Sequence, residues 1–302
     1  MFGIGILGLG VIGRRYMEGF RANPNFRVVA GYDPGYVEVD VARAGSVEEL
    51  IHNPDVDCVY VATPPATHEA LVAAVAGARK AVFCEKPLAA TLRSAQGCVE
   101  AVERFGVPAA VNFPFATAPA TLRLLELVQT GALGEGFSAD LKVRFRTWPR
   151  GWQEGAGGWL AGPEQGGFTR EVISHAVFLA LRLFGPAQVK AVAVEHGERG
   201  TETRIDAVLQ FPACRMTIDG AVAGDIEDFN RFEVTGSKGS AVLSEWFRLQ
   251  HESGDIAPAR ADAGQIAELA TLLSTGRSRL ATFGEAAEVV RIIEEILAER
   301  AG

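Results

Sequence analysis

Cysteine is scarce in this sequence, and it contains no long apolar run. The 302 residues include four cysteines, Cys58, Cys84, Cys98 and Cys214, with no Cys-x-x-Cys pair. Their wide spacing argues against a disulfide framework or a metal site and favours a reduced, cytoplasmic setting. No run approaches the roughly eighteen apolar residues of a transmembrane helix. The apolar N-terminus has no basic region of the kind found in signal peptides, so we expect no membrane association.

Positive charge is also limited. The net charge is −8, and only five of the 29 basic residues are lysines. This balance argues against nucleic acid or anionic lipid as a partner. The hydrophobic content of 48% and the charged content of 22% are those of a globular protein. At 302 residues the chain exceeds the usual size of one domain, which predicts two domains.

A glycine motif follows directly after an apolar strand at the start of the chain. Gly8-Leu-Gly10-Val-Ile-Gly13 lies between this strand and a helical stretch. Gly8 permits a tight turn, Gly10 lets the backbone approach a pyrophosphate, and Gly13 lets the helix pack on the strand. The next strand ends at Asp33, which is placed to bind an adenosine ribose. This order predicts a dinucleotide site, and the alternative is a glycine-rich turn without a ligand.

The order of the predicted elements indicates two kinds of domain. Strand and helix signals alternate over roughly the first 110 residues, which is typical of an α/β doubly wound parallel sheet. The crossover from Gly35 to Ser46 is short and rich in Val and Gly, so a loop is predicted there. Beyond Asn112, runs of strands predict an α+β domain with a mostly antiparallel sheet. The predicted helices are Arg14–Arg21, Glu69–Gly77, Thr91–Arg104, Ala118–Thr130, Glu171–Leu183, Asp262–Leu273 and Gly284–Arg300.

Polar side chains follow three of the predicted parallel strands. Thr63 and His68 follow the third strand, Glu85 and Lys86 the fourth, and Asn112 the fifth. Because ligands bind outside the carboxyl ends of parallel strands, we expect these side chains to lie at a ligand site.

Among these, the segment Glu85-Lys86-Pro87 has the clearest chemistry. Pro87 removes a backbone donor and fixes the turn, so Lys86 is held at the strand end. A lysine placed there beside a nicotinamide ring can bind a substrate oxygen and stabilise charge that develops during hydride transfer. The alternative is a solvated ion pair at the strand end.

A second candidate group lies in Gly166-Gly167-Phe-Thr-Arg170-Glu171-Val-Ile-Ser-His175. On a helix, Glu171 and His175 share one face because they are four residues apart. A carboxylate beside an imidazole sets its tautomer and raises its basicity, as a general base requires. The alternative is a helix-start glutamate and a structural histidine.

Taken in order, the motifs resemble those of the glucose–fructose oxidoreductase, inositol dehydrogenase and MocA (Gfo/Idh/MocA) family. They are Gly8-Leu-Gly10-Val-Ile-Gly13, Ala62-Thr-Pro-Pro-Ala-Thr-His68, Glu85-Lys86-Pro87, the Gly-Gly…His175 helix and Val234-Thr-Gly-Ser-Lys-Gly239. The resemblance spans nearly the whole chain and implies an N-terminal Rossmann domain and a C-terminal α+β domain with an open sheet. It also implies NAD(P)-dependent oxidation or reduction of a sugar, polyol or related carbonyl compound, and a homodimer or homotetramer formed through that sheet.

The resemblance also assigns roles to residues. Lys86 matches the active-site lysine, His175 the general base, and Glu171 a position where the family usually has Asp. The cofactor residues are predicted to be Gly8, Leu9, Gly10, Val11, Ile12, Gly13, Asp33, Ala62, Thr63, Pro64, His68, Glu85 and Lys86. The predicted substrate residues are Asn112, Trp159, Arg170 and Phe178, and no metal site is predicted. NAD(H) is predicted in preference to NADP(H), because the charge of Asp33 would repel a 2′-phosphate.

Two departures from the family pattern leave the substrate open. Phe178 stands where the family often has Asp, and Arg170 beside Glu171 is unusual there, which leaves room for a less polar or an anionic substrate. One alternative function is a dinucleotide-bound sensor that has lost turnover. Another is a reductase of an imine or cyclic unsaturated compound, with Phe178 and the tryptophans as an apolar wall.

The predicted domains are 1–113, 114–282 and a C-terminal helix, 283–302, that packs back on the first domain.

Overall fold

The predicted parallel sheet forms from five short apolar strands in the computed structural model, which describes residues 1–35, 38–156, 158–222 and 225–298. The strands are β1 (Phe2–Leu7), β2 (Phe26–Tyr32), β3 (Cys58–Val61), β4 (Ala81–Glu85) and β5 (Ala109–Asn112). Their order is β2-β1-β3-β4-β5, and every neighbouring pair is parallel. β3 is buried along its whole length, which explains its unbroken apolar sequence. The prediction of a parallel sheet is confirmed.

Four helices connect these strands: α1 (Val11–Ala22), α2 (Val47–His52), α3 (His68–Gly77) and α4 (Leu92–Phe105). α1 begins inside the glycine motif, at Val11 rather than at the predicted Arg14. The described residues of the crossover, 35 and 38–46, contain no helix, in agreement with the predicted loop. α2 begins after this loop because the Ser46 hydroxyl accepts the N–H of Glu49 at 3.1 Å.

The second sheet is larger and mostly antiparallel. Its strands are β6 (Phe137–Phe145), β7 (Gln188–His196), β8 (Glu202–Phe211), β9 (Cys214–Val222), β10 (Asp228–Gly236), β11 (Gly239–Ser244) and β12 (Arg248–Gln250). Their order is β12-β11-β10-β6-β9-β8-β7, and only the β6–β9 pair is parallel among these described strands. The predicted α+β fold is confirmed. β12 was not predicted, because three residues carry too little alternation to indicate a strand.

Two helices belong with this sheet: α5 (Pro119–Gln129) and α6 (Ser174–Phe184). A turn of π-helix, Thr169–Ile173, leads into α6, so the predicted regular helix from Glu171 is wrong in its first turn. The N–H of Ser174 reaches the carbonyl of Thr169, and its hydroxyl donates to the carbonyl of Arg170 at 2.6 Å. These two bonds widen the turn and delay the start of α6.

The two sheets lie in separate compact units. Unit 1 contains Met1–Pro114 and Asp262–Val290, and unit 2 contains Phe115–Ala261 and the chain from Arg291 onward. Unit 1 therefore includes α7 (Asp262–Thr275) and the first part of α8 (Phe283–Ala298). This division differs from the predicted boundaries, which placed residues 114–282 in the second domain.

Packing against α1 explains why α7 belongs to unit 1. Ile266 and Leu269 are fully buried in the same hydrophobic cluster as Phe20. At the helix start, the guanidinium of Arg15 donates two hydrogen bonds of 2.7 Å to the carboxylate of Asp262. A long-range contact of this kind leaves no local signal in the sequence.

Candidate active-site residues

The glycine motif lies where the strand order of unit 1 reverses. β1 pairs with β2 on one side and with β3 on the other, so their carboxyl ends flank the crevice in which such sheets bind ligands. Gly8 has φ +93°, and a Cβ there would lie 2.5 Å from the carbonyl oxygen of Ala62. A Cβ on Gly13 would lie 1.9 Å from the oxygen of Gly8, whereas no atom lies within 4 Å of one on Gly10. Space is therefore open only at Gly10, beside the start of α1.

Asp33 is fixed against this motif by its carboxylate. One oxygen, Oδ2, accepts the N–H of Leu9 at 2.8 Å, and Oδ1 accepts the N–H of Gly35 at 2.9 Å. Arg43 donates to the backbone carbonyls of Asp33 (3.3 Å) and Gly35 (3.1 Å). The carboxylate, the glycine motif and one guanidinium thus lie together at the end of β2.

His68 has a different place from that predicted. It is fully buried, with Nε2 2.8 Å from the carbonyl of Thr63 and Nδ1 3.2 Å from the carbonyl of Leu88. Burial lowers the pKa of the imidazole and favours its neutral form. Its contacts join the turn after β3, which carries Ala62, Thr63 and Pro64, to the chain that follows Lys86. The side chain of His68 thus links the turn after β3 to the turn after β4.

Glu85 and Asn112 form a buried polar network with two tyrosines. The Oε1 atom of Glu85 accepts hydrogen bonds from the hydroxyl of Tyr60 and, at 2.6 Å, from Nδ2 of Asn112. Asn112 is 2% exposed, and its Oδ1 accepts the hydroxyl of Tyr16 at 2.9 Å. Burial raises the pKa of both tyrosines well above the usual value, so both remain hydrogen-bond donors.

This network changes how the two predicted residues are understood. Glu85 was assigned to the cofactor and Asn112 to the substrate; the structure places Asn112 in the interior of unit 1 and leaves Glu85 half-buried. Tyr16 and Tyr60 were not identified from the sequence. The available signal for Tyr60 was its place in an otherwise apolar strand, because a buried hydroxyl needs a partner.

Lys86 is held at the end of β4 by its neighbours. Its backbone N–H donates to Oε2 of Glu85 at 3.2 Å, and the bond between Lys86 and Pro87 is cis. The residue is half-buried. Its backbone is therefore tied to the buried network, and its side chain starts from the same sheet edge as the glycine motif.

In unit 2, His175 lies beside a small, partly open cavity with a water-accessible volume of about 20 Å³. The imidazole is 5.5 Å from the ring of Phe115 and 6.4 Å from the ring of Trp246, measured between centroids. The lining is mostly apolar and consists of Phe115, Leu141, Val143, Val172, His175, Ala176, Asn230, Arg231, Phe232, Leu243 and Trp246. The enclosed space holds about one water, and its lining offers apolar surface to a molecule bound at the opening.

Glu171 and His175 lie on either side of the junction between the π turn and α6, and both are half-buried. In a π turn the hydrogen bonds run from i to i+5, so four residues make slightly less than one turn. The two residues therefore remain on the same side of the helix.

Glu202, the first residue of β8, anchors this π turn and was not identified from the sequence. The carboxylate is 3% exposed, and Oε1 accepts the N–H of Thr169 at 2.6 Å. A Cβ on Gly167, which has φ +94°, would lie 2.4 Å from Oε2. Burial raises the pKa of Glu202. Position 167 thus requires glycine for two reasons: its backbone has a positive φ, and the carboxylate of Glu202 packs against it.

Three predicted substrate residues are absent from the lining of this cavity, among the residues that the structure describes. Arg170 is 8% exposed and forms a two-pronged ion pair with Glu294, at 2.7 and 3.1 Å. Phe178 is fully buried, with the guanidinium carbon of Arg182 4.5 Å above its ring. Trp159 is half-buried in a short 3₁₀ turn, Gly158–Ala161. The ion pair with Glu294 holds Arg170 in the protein interior, and Phe178 lies on the buried side of α6.

Two family models match the chain. Residues 2–113 match the oxidoreductase family with an NAD-binding Rossmann fold, and residues 121–242 match the GFO/IDH/MocA C-terminal domain. A 1,5-anhydro-D-fructose reductase from Ensifer adhaerens is 30% identical over 210 residues, which is 65% of this chain and 60% of the relative. An inositol 2-dehydrogenase from Acidothermus cellulolyticus is 38% identical over 162 residues, or 47% of this chain and 44% of the relative.

A solved structure covers more of the chain at lower identity. The crystal structure of GenD2 from gentamicin A biosynthesis, in complex with NAD, has a TM-score of 0.83 at 21% identity, over 99% of this chain and 94% of that chain. The chain thus shares this fold along its length, although it spans only 60% and 44% of the two curated relatives. The predicted NAD-binding Rossmann domain is confirmed. In the part of the chain that the structure describes, no helix is long and apolar enough to cross a membrane.

Proposed function

Because the chain belongs to the Gfo/Idh/MocA family of oxidoreductases, we propose that it transfers hydride between NAD(H) and a small hydroxyl or carbonyl compound, such as a sugar, a polyol or a derivative. The observation that carries this proposal is Lys86, tied through Glu85 to a buried network at the sheet edge that also presents the glycine motif. A pure dinucleotide sensor has no physical need for a lysine held in this way.

The residues at the glycine motif fit a dinucleotide. The open space at Gly10 admits a pyrophosphate, and the start of α1 presents backbone N–H groups and a partial positive charge toward it. The fixed carboxylate of Asp33 beside Leu9 supports its assignment to the adenosine ribose, where its charge would disfavour a 2′-phosphate. The nicotinamide, when bound, accepts hydride from an alcohol carbon or returns it to a carbonyl carbon.

Lys86 and His175 divide the remaining chemistry. In the oxidation direction, the imidazole of His175 would take the hydroxyl proton of the substrate, and bound NAD⁺ would supply the hydride acceptor. The ammonium of Lys86 donates a hydrogen bond to the oxygen, where negative charge develops. In the reverse direction His175 returns the proton to the carbonyl oxygen. Glu171, on the same side of the helix, favours the imidazolium that forms.

A less polar substrate is the second candidate. The cavity beside His175 is lined mostly by aromatic and aliphatic side chains, which favours an imine or a cyclic unsaturated compound over a fully hydroxylated sugar. In the reduction of such a compound, His175 would give its proton to the imine nitrogen or to a carbon of the C=C bond.

The test is a nicotinamide absorbance screen of sugars, polyols, hydroxy acids and imines with both cofactors. We expect turnover with NAD(H), and a loss of about 10²–10³ in kcat for Lys86→Ala with unchanged NAD affinity. Lys238→Ala, at an exposed lysine of the turn between β10 and β11, is the matched control. Near-normal turnover of Lys86→Ala excludes the lysine from the site. NAD binding without turnover of any compound would instead favour the sensor.

The assembly and location that we propose follow from other features. β6 alternates buried and exposed residues, so one face of the larger sheet is open in a single chain. Charges on it are paired within the face, such as Arg144 with Asp219 and Arg231 with Glu233. Such a face suits association with a second copy of the chain. Light scattering after size-exclusion chromatography tests this.

The four cysteines are free and buried, in keeping with a cytoplasmic location.

A further inference from the structure

The turn between β11 and β12 contains two strained residues. Glu245 has φ +48° and Trp246 has φ +64°, a left-handed conformation that favours glycine or asparagine. A turn that joins two strands in this way is usually built from Asn-Gly or a similar pair. Bulky residues persist in such a conformation only where their surroundings hold them, and such positions cluster at functional sites.

Three contacts hold Trp246 in this conformation. Its backbone N–H donates to Oδ1 of Asn230 at 2.7 Å, and its indole N–H donates to Oδ2 of Asp228 at 3.2 Å. The guanidinium carbon of Arg150 lies 5.5 Å from the indole centroid. Arg150 donates to the same Oδ2 at 3.0 Å, and its side chain is only 10% exposed. Both N–H groups of Trp246 are therefore bound by protein side chains.

Arg150 is itself fixed by a group of aromatic rings. Its guanidinium carbon lies 5.4, 5.7 and 4.8 Å from the ring centroids of Phe145, Trp148 and Trp152. Because the ion pair with Asp228 already neutralises its charge, this arginine is better suited to orient Trp246 than to bind an anionic substrate.

The indole ring held in this way forms one wall of the cavity beside His175. Leu141 and Val143 line it from β6, and Phe115 adds a second aromatic ring. An aromatic wall packs best against a flat, apolar face of C–H groups. A ring compound offers such a face while its hydroxyls remain at the rim, whereas an open-chain polyol does not.

We propose that Trp246 is a specificity-determining residue, which selects substrates that present a ring face to its indole. The inference rests on the proposed function, because it places the substrate beside His175. It also replaces Phe178, which is fully buried, as the source of the apolar wall.

The experiment compares ring and open-chain compounds of equal hydroxyl count, with myo-inositol and sorbitol as the first pair and other cyclic and linear polyols after them. The kcat/KM ratio of ring to chain is measured for the wild type, Trp246→Phe and Trp246→Ala. The control, Glu245→Asn, changes the other strained residue of the turn. We expect the ratio to fall about three- to tenfold in Trp246→Ala, mainly through KM. Trp246→Phe should retain part of the preference, and Glu245→Asn all of it.

A second readout separates this inference from the proposed function. Saturation-transfer NMR with the same compounds detects binding without turnover, and circular dichroism checks that each variant is folded. A ring-specific signal that is lost in folded Trp246→Ala supports the inference even where no compound is oxidised. An unchanged ratio in Trp246→Ala, or no ring-specific signal in the wild type, overturns it.

Discussion

Asp33 is the residue on which cofactor choice depends. Both carboxylate oxygens accept backbone N–H groups, so the carboxylate is held in one orientation beside Leu9 of the glycine motif. Asp33→Ser should weaken NAD binding and strengthen NADP binding, because the repulsion of a 2′-phosphate is removed. We expect the ratio of dissociation constants to change about tenfold or more, which corresponds to about 1.4 kcal/mol. Fluorescence titration at fixed salt measures it.

The matched control for this substitution is Asp55→Ser, which removes a carboxylate of the same unit that is ion-paired with Arg27 at the surface. Its cofactor ratio should equal that of the wild type. Tighter binding of NADP than of NAD by the wild type would contradict the assignment of Asp33.

His175 and Glu171 predict a dependence of turnover on pH. A protonated imidazole cannot accept the substrate proton, so oxidation should slow as the pH falls. His175→Asn should lose about 10²–10⁴ in kcat together with this acid limb. Glu171→Gln should move the limb to lower pH if the carboxylate favours the imidazolium. Initial rates from pH 5 to 9 measure both effects.

An acid limb that is the same in His175→Asn as in the wild type would remove His175 from the mechanism. A limb that does not move in Glu171→Gln would leave Glu171 with a structural role. The alternative in which Glu171 pairs with Arg170 is less favourable, because the guanidinium of Arg170 already binds Glu294 and two backbone carbonyls.

At the scale of elements, the π turn before α6 depends on Glu202. Glu202→Ala removes the acceptor of the Thr169 N–H and leaves that buried donor unmet, which should cost about 1–3 kcal/mol. Turnover should fall as well, since the turn positions Glu171 and His175. Denaturant melts and steady-state kinetics of the same variant measure the two effects, with Glu195→Ala at an exposed position of β7 as control.

Glu202→Gln gives a pH-dependent result of known sign. Burial raises the folded-state pKa of Glu202, so its contribution to stability is present at low pH and is lost as the pH rises through that pKa. Glutamine keeps an acceptor for Thr169 without the charge. The variant should therefore gain stability relative to the wild type from acidic to neutral pH. A stability advantage of the variant over the wild type that shrinks with rising pH would contradict a raised pKa for Glu202.

Elements whose causes are local could be predicted from the sequence. The glycine turn at Gly8 and the end of β4 at Lys86 each depend on residues within a few positions of each other. Both lie where the sequence predicted them. The π turn could not be predicted, because it depends on Glu202, 33 residues beyond Thr169. The hydrogen bond between Asn112 and Tyr16 could not be predicted for a similar reason, since the two residues lie 96 positions apart.

At the scale of the whole molecule, the segment 262–290 completes unit 1. Besides Ala270, four of its large apolar side chains, Ile266, Leu269, Leu272 and Leu280, are buried in the core cluster. Each is worth about 1.5–3 kcal/mol, so their loss removes roughly 6–12 kcal/mol from a typical stability of about 5–15 kcal/mol. A fragment of residues 1–114 should therefore fail to fold, whereas 1–114 joined to 262–290 by a flexible linker should fold.

Circular dichroism and dispersion of amide NMR signals distinguish the two fragments. A cooperative melt of the fragment 1–114 alone would show that α7 is dispensable, and would favour the domain boundary at residue 113 that the sequence predicted.

The buried cysteines give each unit its own chemical reporter of opening. Cys58, Cys84 and Cys98 lie in unit 1 and Cys214 in unit 2, and all four are buried. Burial raises the pKa of each thiol, to about 12 for Cys98 and Cys214. Little reactive thiolate therefore exists while each unit is folded. The rate at which an alkylating reagent modifies Cys214 thus reports exposure of unit 2, while modification of the other three reports exposure of unit 1. Mass spectrometry of the labelled peptides would follow the two units separately in one sample, with no substitution in the chain.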